Sequence, residues 1–473
     1  MMPGTTSPQP GKAPARIGFW RRLVGLAAPP AGSRRAVGRR AWSGLRTLLV
    51  ELAEGKGGES LARERVARLI GHYAALDVPE RRRFFTLLEA EFEVEEARVM
   101  ASIEAYRGAD APARVRSRAQ LLQSLESPRL RILRQFNLVP EGVHALVRMR
   151  ADLLQLAPEG GFAGLDQDFL RVFSAWFDIG FLELKRIGWG SPAALLEKLI
   201  RYEAVHEIKS WSDLRNRLDS DRRCYAFFHP RMPDEPLIFV EVALVRSLAD
   251  NVQALLDEQA PTLDPATATT AIFYSISNAQ GGLRGVSMGE CLIKRVVQLL
   301  LQEFPRLRQF ATLSPLPGFG AWLDARLAGG AGPRKWPAAL AAQLAGDARS
   351  PADGLRHLLH RSIDGDGPED PALKAWLTRE CAVYLLREKK RGEPLDPVAR
   401  FHFSNGASLG RINWLADPSR HGLQQSCGLM VNYLYTLREI DANHRAFAET
   451  GQLAAAPEIR KLIDGAARPA RPA

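Results

Sequence analysis

The period of the hydrophobic pattern changes once along this chain, near Ser191-Pro192, and that change limits the folds open to it. Before it, apolar residues recur at helical spacing. Between Arg81 and Ala109, Phe84, Phe85, Leu88, Phe92 and Val99 fall near one face. Val143, Leu146, Val147 and Leu154 follow Pro140 in the same way, and Gln167–Phe181 repeats the pattern. After the change, short β-prone runs alternate with helical stretches. CYAFFH (224–229) and PLIFVEVALV (236–245) flank a proline-rich turn as in a hairpin, and TAIFYSIS (270–277) is a third strand. GECLIKRVVQLLLQEF (289–304) reads as a helix and Gln309–Leu313 as a short strand. The expected class is therefore α+β: a helical bundle over 41–187, used for packing or oligomerisation, then a mixed α/β domain over 188–462. Residues 1–40 and 463–473 read as tails.

The formal charge of +11 raises the question of nucleic acid. Nine of the 64 basic residues lie in the first 50 positions, which hold no acid, and the remaining 55 nearly balance 53 acids. The basic character thus belongs to the tail, and a nucleic-acid surface on the folded part is not expected. Two readings of that tail stay open: a disordered extension of a cytoplasmic bacterial protein, or an organellar transit peptide that would place the protein in the mitochondrial matrix. No run approaches the length of a membrane-spanning helix. The cysteines Cys224, Cys291, Cys381 and Cys427 have neither zinc-site nor disulfide-scaffold spacing, which fits a reducing compartment.

Three short segments carry chemistry. Between TAIFYSIS and the helix after it lies NAQGGLRGVSMG (278–289), a glycine-rich strand-to-helix turn of the kind that offers backbone amides to an anion. It fits neither the Walker A pattern nor the dinucleotide fingerprint. Arg284, Gly285, Val286, Ser287, Met288 and Gly289 instead resemble the RGxGxG/A signature with which GNAT acetyltransferases hold the pyrophosphate of coenzyme A, with Ser287 in place of the central glycine. A plain flexible connection is the alternative. Downstream, TLSPLPGF (312–319) presents Ser314 between an apolar approach and two prolines. A hydrolase elbow is excluded, because Pro315 has no N–H to supply the oxyanion donor. What remains is a fixed hydroxyl able to donate or relay a proton, or a stiffened turn. In FHFSNG (401–406), His402 alternates with Phe401 and Phe403 in an expected strand ending at the Asn405-Gly406 turn, where its imidazole is suited to proton transfer unless it is structural.

Together these segments resemble the malonyl-CoA decarboxylase family. The resemblance is carried by AIFYSIS (271–277), LRGVSMGECLIKRVV (283–297), EFPRLRQFATLSPLPGF (303–319), FHFSNGA (401–407), RINWLAD (411–417) and SCGLMVNY (426–433), with weaker similarity in MRADLLQL (149–156) and EAVHEIKSW (203–211). It spans about residues 130–440 in the family's order. The resemblance implies a helical domain followed by a GNAT-like catalytic domain that converts malonyl-CoA to acetyl-CoA and carbon dioxide without metal or organic cofactor. It implies Ser314 and His402 as the catalytic pair and a CoA-thioester loop from Arg284 to Glu290. Ser275, at the end of the strand feeding that loop, is a further candidate pocket residue unless it only packs the strand. The same loop suits a CoA-dependent acyltransferase or a non-catalytic CoA-binding scaffold. The helical domain makes a homo-oligomer, dimer or tetramer, plausible.

Overall fold

The structure, a computed structural model, describes residues 39–157, 161–286, 288–328, 351–364 and 370–464. Residues 1–38 of the expected basic tail, Ser287, and residues 465–473 lie outside these. Helices occupy the chain from Arg39 to Trp176. Their starts follow local chemistry. Asp77 caps the helix Val78–Glu91 through a reciprocal capping box with Glu80, and Asp110 and Ser127 cap helices that open on proline-containing first turns.

The helical run expected over Arg81–Ala109 is two helices, Val78–Glu91 and Glu96–Gly108. The break has a tertiary cause. The Phe92 carbonyl accepts from the Arg129 backbone N–H, and the buried Arg129 guanidinium is ringed by Glu89, Glu93 and Asp168. A second difference is the strand β1 (Glu183–Ile187), which precedes the change of period yet belongs to the sheet.

Among the described residues, seven strands form one sheet. They are β1, β2 (Arg222–Phe228), β3 (Ile238–Val245), β4 (Thr270–Asn278), β5 (Gln309–Thr312), β8 (Ser408–Asn413) and β9 (Met430–Leu434), in the order β1-β2-β3-β4-β5-β9-β8. A separate hairpin of β6 (Lys389–Lys390) and β7 (Glu393–Pro394) lies outside it. The first four strands are antiparallel in series, so β2 and β3 form the expected hairpin. β4 and β5 are parallel, joined by the helix Gly289–Glu303. This is the helical bundle followed by a mixed α/β domain that the sequence implied. Both faces of the sheet are covered, which is why its central strands read as unbroken apolar runs. Ala271 and Phe273 of β4 face the large core shared with the helical region, whereas Ile272 and Tyr274 join a smaller cluster on the other face.

Two irregularities make room for a site. The β3–β4 register slips between Glu241 and Val242, leaving Tyr274 as the extra residue on β4. The parallel pairing of β4 with β5 ends at Phe273 and Thr312. From there β5 leans toward β9, with Ser314 bridging Val431, while β4 continues to Asn278 paired with β3 on its other edge. The two strands diverge into a V.

Candidate active site

A cleft of about 730 Å³ opens in that V. Phe273, Tyr274, Ile276 and Asn278 of β4 form one wall, Ser314 and Pro315 the floor, and Arg284, Gly285, Val286 and Met288 of the glycine-rich loop a second wall. The opposite side is the helix Pro397–Ser404, which contributes Val398, Arg400, Phe401 and His402.

Ser314 is held as part of the sheet. Its N–H donates to the Val431 carbonyl at 2.8 Å and its carbonyl accepts from the Val431 N–H at 2.9 Å. Pro315 then forbids further pairing and turns the chain away. Thr312, two residues back and so on the same side of the strand, accepts the Ser314 hydroxyl at 2.8 Å and the Tyr433 N–H at 3.1 Å.

His402 is on a helix, not on the strand expected from its alternation with phenylalanine. The deciding chemistry lies upstream. Asp396 accepts from the N–H groups of Val398 and Ala399, and Pro397 occupies the first turn, so the segment starts as a capped helix. Asn405-Gly406 does form a turn, with Gly406 at φ +77°. The helix delivers the His402 Nε2 to 3.1 Å from the Ser314 Oγ, although 88 residues separate them. The other ring nitrogen, Nδ1, lies 2.8 Å from the Tyr435 hydroxyl, and the ring stacks on Tyr433 at a centroid distance of 4.5 Å. Complete burial pushes the His402 pKa down to about 3, so the imidazole is neutral at ordinary pH. With the Ser314 hydroxyl donating to Thr312, the remaining partner for its oxygen is a His402 Nε2–H. That tautomer leaves Nδ1 to accept from Tyr435. The result is a one-way chain, Tyr435 to His402 to Ser314 to Thr312.

The serine loop and the histidine helix share one support. Tyr384 donates its hydroxyl to the Asp396 carboxylate at 3.1 Å. A Cβ on Gly318 would sit 2.4 Å from that same hydroxyl, so a larger residue at this position of the PLPG turn would displace Tyr384.

Of the other residues singled out in the sequence, Arg284, Gly285, Val286 and Met288 line the cleft. Gly289 begins the helix behind them; the side chain of Glu290, like Ser287, lies outside the described residues. Ser275 is not among the lining residues. Its hydroxyl donates to the Glu203 carboxylate at 2.8 Å, and Ser277 joins the same carboxylate. This network anchors β4 beside the cleft. Sequence reasoning missed Thr312, Tyr435 and Asp396. The first was legible at period two from Ser314, and the last as an Asp-Pro helix start; Tyr435 has no local signal.

Among the described residues no helix is long and apolar enough to cross a membrane, and no cluster of three or more His, Cys, Asp or Glu is arranged to hold a metal ion.

Comparison with known proteins bears on the same segments. Residues 92–177 match the family model described as the malonyl-CoA decarboxylase N-terminal domain, and residues 180–472 the model for its C-terminal domain. The mitochondrial malonyl-CoA decarboxylase of Mus musculus is 40% identical over 338 residues, covering 68% of each chain. That of Anser anser anser is 36% identical over 423 residues, covering 85% of this chain and 84% of the relative. The crystal structure of malonyl-CoA decarboxylase from Agrobacterium vitis superposes with a TM-score of 0.78 at 41% identity, over 89% of this chain and 99% of that one. The enzyme from Rhodopseudomonas palustris gives 0.76 at 42% identity, with the same coverage. The helical half, the sheet and the segments that build the cleft therefore have one common origin: the chain belongs to the malonyl-CoA decarboxylase family.

Proposed function

We propose that this chain converts malonyl-CoA to acetyl-CoA and carbon dioxide in the β4–β5 cleft, with Ser314 and His402 handling the proton. The observation that carries the reading is the buried chain from Tyr435 through His402 to Ser314, which ends at the floor of a cleft walled by the glycine-rich loop. A malonyl thioester contains its own electron sink. As the bond between C2 and the carboxylate breaks, its electron pair moves into the thioester as an enolate. The catalyst must hold the carboxylate out of the thioester plane, stabilise the enolate oxygen and protonate C2.

The site offers a group for each task. Val398, Phe401, Ile276 and Met288 give the cleft apolar walls, where a carboxylate is poorly solvated and neutral carbon dioxide loses nothing. A neutral His402 suits this step, since an imidazolium would pair with the carboxylate and favour the ground state. Backbone amides on the edge of β4 that β5 leaves free would meet the enolate oxygen. The Ser314 hydroxyl then gives its proton to C2 as the His402 Nε2–H moves to the Ser314 oxygen and the Tyr435 hydroxyl proton moves to Nδ1; the negative charge left by decarboxylation passes to the Tyr435 oxygen until solvent returns a proton after acetyl-CoA departs.

The test is to follow acetyl-CoA and carbon dioxide from malonyl-CoA with Ser314→Ala and His402→Ala. Each should lower turnover by about 10²–10⁴-fold with a much smaller effect on KM. Near-normal turnover in either would remove the assignment. No acyl acceptor should be needed, which separates this reaction from acyl transfer.

A homo-oligomer, dimer or tetramer, belongs to the same proposal. The helices Glu96–Gly108 and Ala111–Ser124 pack on each other and leave Met100, Val115 and Leu122 exposed. Light scattering tests it. A cytoplasmic location is supported by the bacterial sources of the solved relatives, with the mitochondrial matrix as the alternative.

A further inference from the structure

We propose that Arg150, in the helical region, is a positioning residue for substrate affinity: it aims the Gly285 amide into the cleft. The inference rests on the malonyl-CoA reading above and assigns a role that the helical half would not have as a mere assembly module. Arg150 lies on the helix Gly142–Leu156 and is 2% exposed. One terminal nitrogen of its guanidinium donates to the carbonyls of both Gly282 and Arg284, each at 2.7 Å. Its Nε donates to Asp166 at 2.8 Å, on the helix Ala163–Trp176. Arg150, braced by a second helix through Asp166, thus grips the backbone of a loop more than 130 residues away from it.

The consequence follows from peptide geometry. In a trans peptide the C=O and the next N–H point in opposite directions, and no cis peptide occurs among the described residues. Drawing the Arg284 carbonyl toward Arg150 therefore turns the Gly285 N–H away from the helical region. Gly285 lines the cleft, and its N–H has no hydrogen-bond acceptor among the described residues. The neighbouring amides are already used: Leu283 N–H donates to Gln280, Arg284 N–H to Gly281 and Val286 N–H to Leu283. Among the amides from Leu283 to Val286, that of Gly285 is the one left without an acceptor among the described residues, and its φ of +87° favours glycine. The loop is also pressed against the same helix, since a Cβ on Gly282 would lie 1.9 Å from the Val147 carbonyl oxygen. Arg150 satisfies the inward-facing carbonyls, which lets the loop turn its donor edge to a phosphate of the CoA moiety.

The experiment compares Arg150→Ala and Arg150→Lys with the wild type on two thioesters, malonyl-CoA and malonyl-pantetheine, which lacks the nucleotide. CoA affinity is measured by calorimetry and unliganded stability by melting. Arg150→Ala should raise KM for malonyl-CoA and Kd for CoA by about tenfold or more, as expected for loss of charge-assisted bonds. Its kcat and its kcat/KM for malonyl-pantetheine should stay within about twofold of wild type. Added guanidinium should restore part of the lost affinity. Lysine keeps the buried charge but cannot span two carbonyls and Asp166, so Arg150→Lys should fall between, and it carries the test alone if the alanine variant does not fold. Unchanged CoA affinity in a folded variant, an equal loss on both thioesters, or a fall in kcat at constant KM overturns the proposal. A wild-type protein that releases no carbon dioxide overturns the reaction instead, and the CoA affinities still judge Arg150.

Discussion

Replacing Tyr435 with phenylalanine removes one oxygen and tests whether the chain behind Ser314 matters to the reaction. The phenol is 2% exposed, and its hydroxyl lies 2.8 Å from His402 Nδ1. Phenylalanine keeps the ring and its edge contact with Phe273, so the fold should survive. Removing the hydroxyl takes away the one partner that the buried Nδ1 has among the described residues. An orphaned buried acceptor costs about 1–3 kcal/mol. If that energy is expressed in the proton-transfer step, kcat should fall about five- to 150-fold. Tyr435 is not among the residues lining the cleft, so KM for malonyl-CoA should hardly move. Steady-state release of carbon dioxide, with KM determined in the same series, gives both numbers. A kcat within twofold of wild type would refute the relay. A rise in KM at constant kcat would refute it too, because the hydroxyl would then be shaping the cleft rather than the imidazole.

Two further outcomes follow from the same geometry. His402 has its folded pKa pushed down to about 3 by burial, against about 6.5 when unfolded. Its contribution to stability is therefore complete above about pH 6.5 and is lost as pH falls toward 3, with a slope of at most about 1.4 kcal/mol per pH unit. Melting temperatures across that window should fall less steeply in His402→Gln, and the wild-type kcat profile should show no ionisation near 6.5. Gly282→Ala forces a methyl against the Val147 carbonyl. It should cost about 1–3 kcal/mol, seen in the melting temperature, together with a higher KM for malonyl-CoA.

Much of the scaffold was legible because its signals are local. The β2–β3 hairpin, β4 and the helix after the glycine-rich loop announce themselves by apolar runs bounded by proline and glycine. Ser314 could be placed at the end of β5 because Pro315 must end the strand's pairing. His402 was assigned to the wrong element since three alternating residues are too few to fix a period, and the Asp396-Pro397 start outweighs them. The distance from Ser314 to His402, the phenol of Tyr435 and the reach of Arg150 depend on contacts between distant segments. Sequence spacing carries no trace of such distances.

The carboxylate of Asp396 starts the helix that carries His402 and receives the Tyr384 hydroxyl that abuts Gly318 in the serine turn. The alignment of the two reacting side chains is thus referred to one shared datum rather than accumulated along the intervening backbone. A change of length between the helices Phe319–Ala328 and Pro371–Leu386 should therefore leave the pair aligned. Gly318, Tyr384 and Asp396 should tolerate substitution far less, although none of the three lines the cleft.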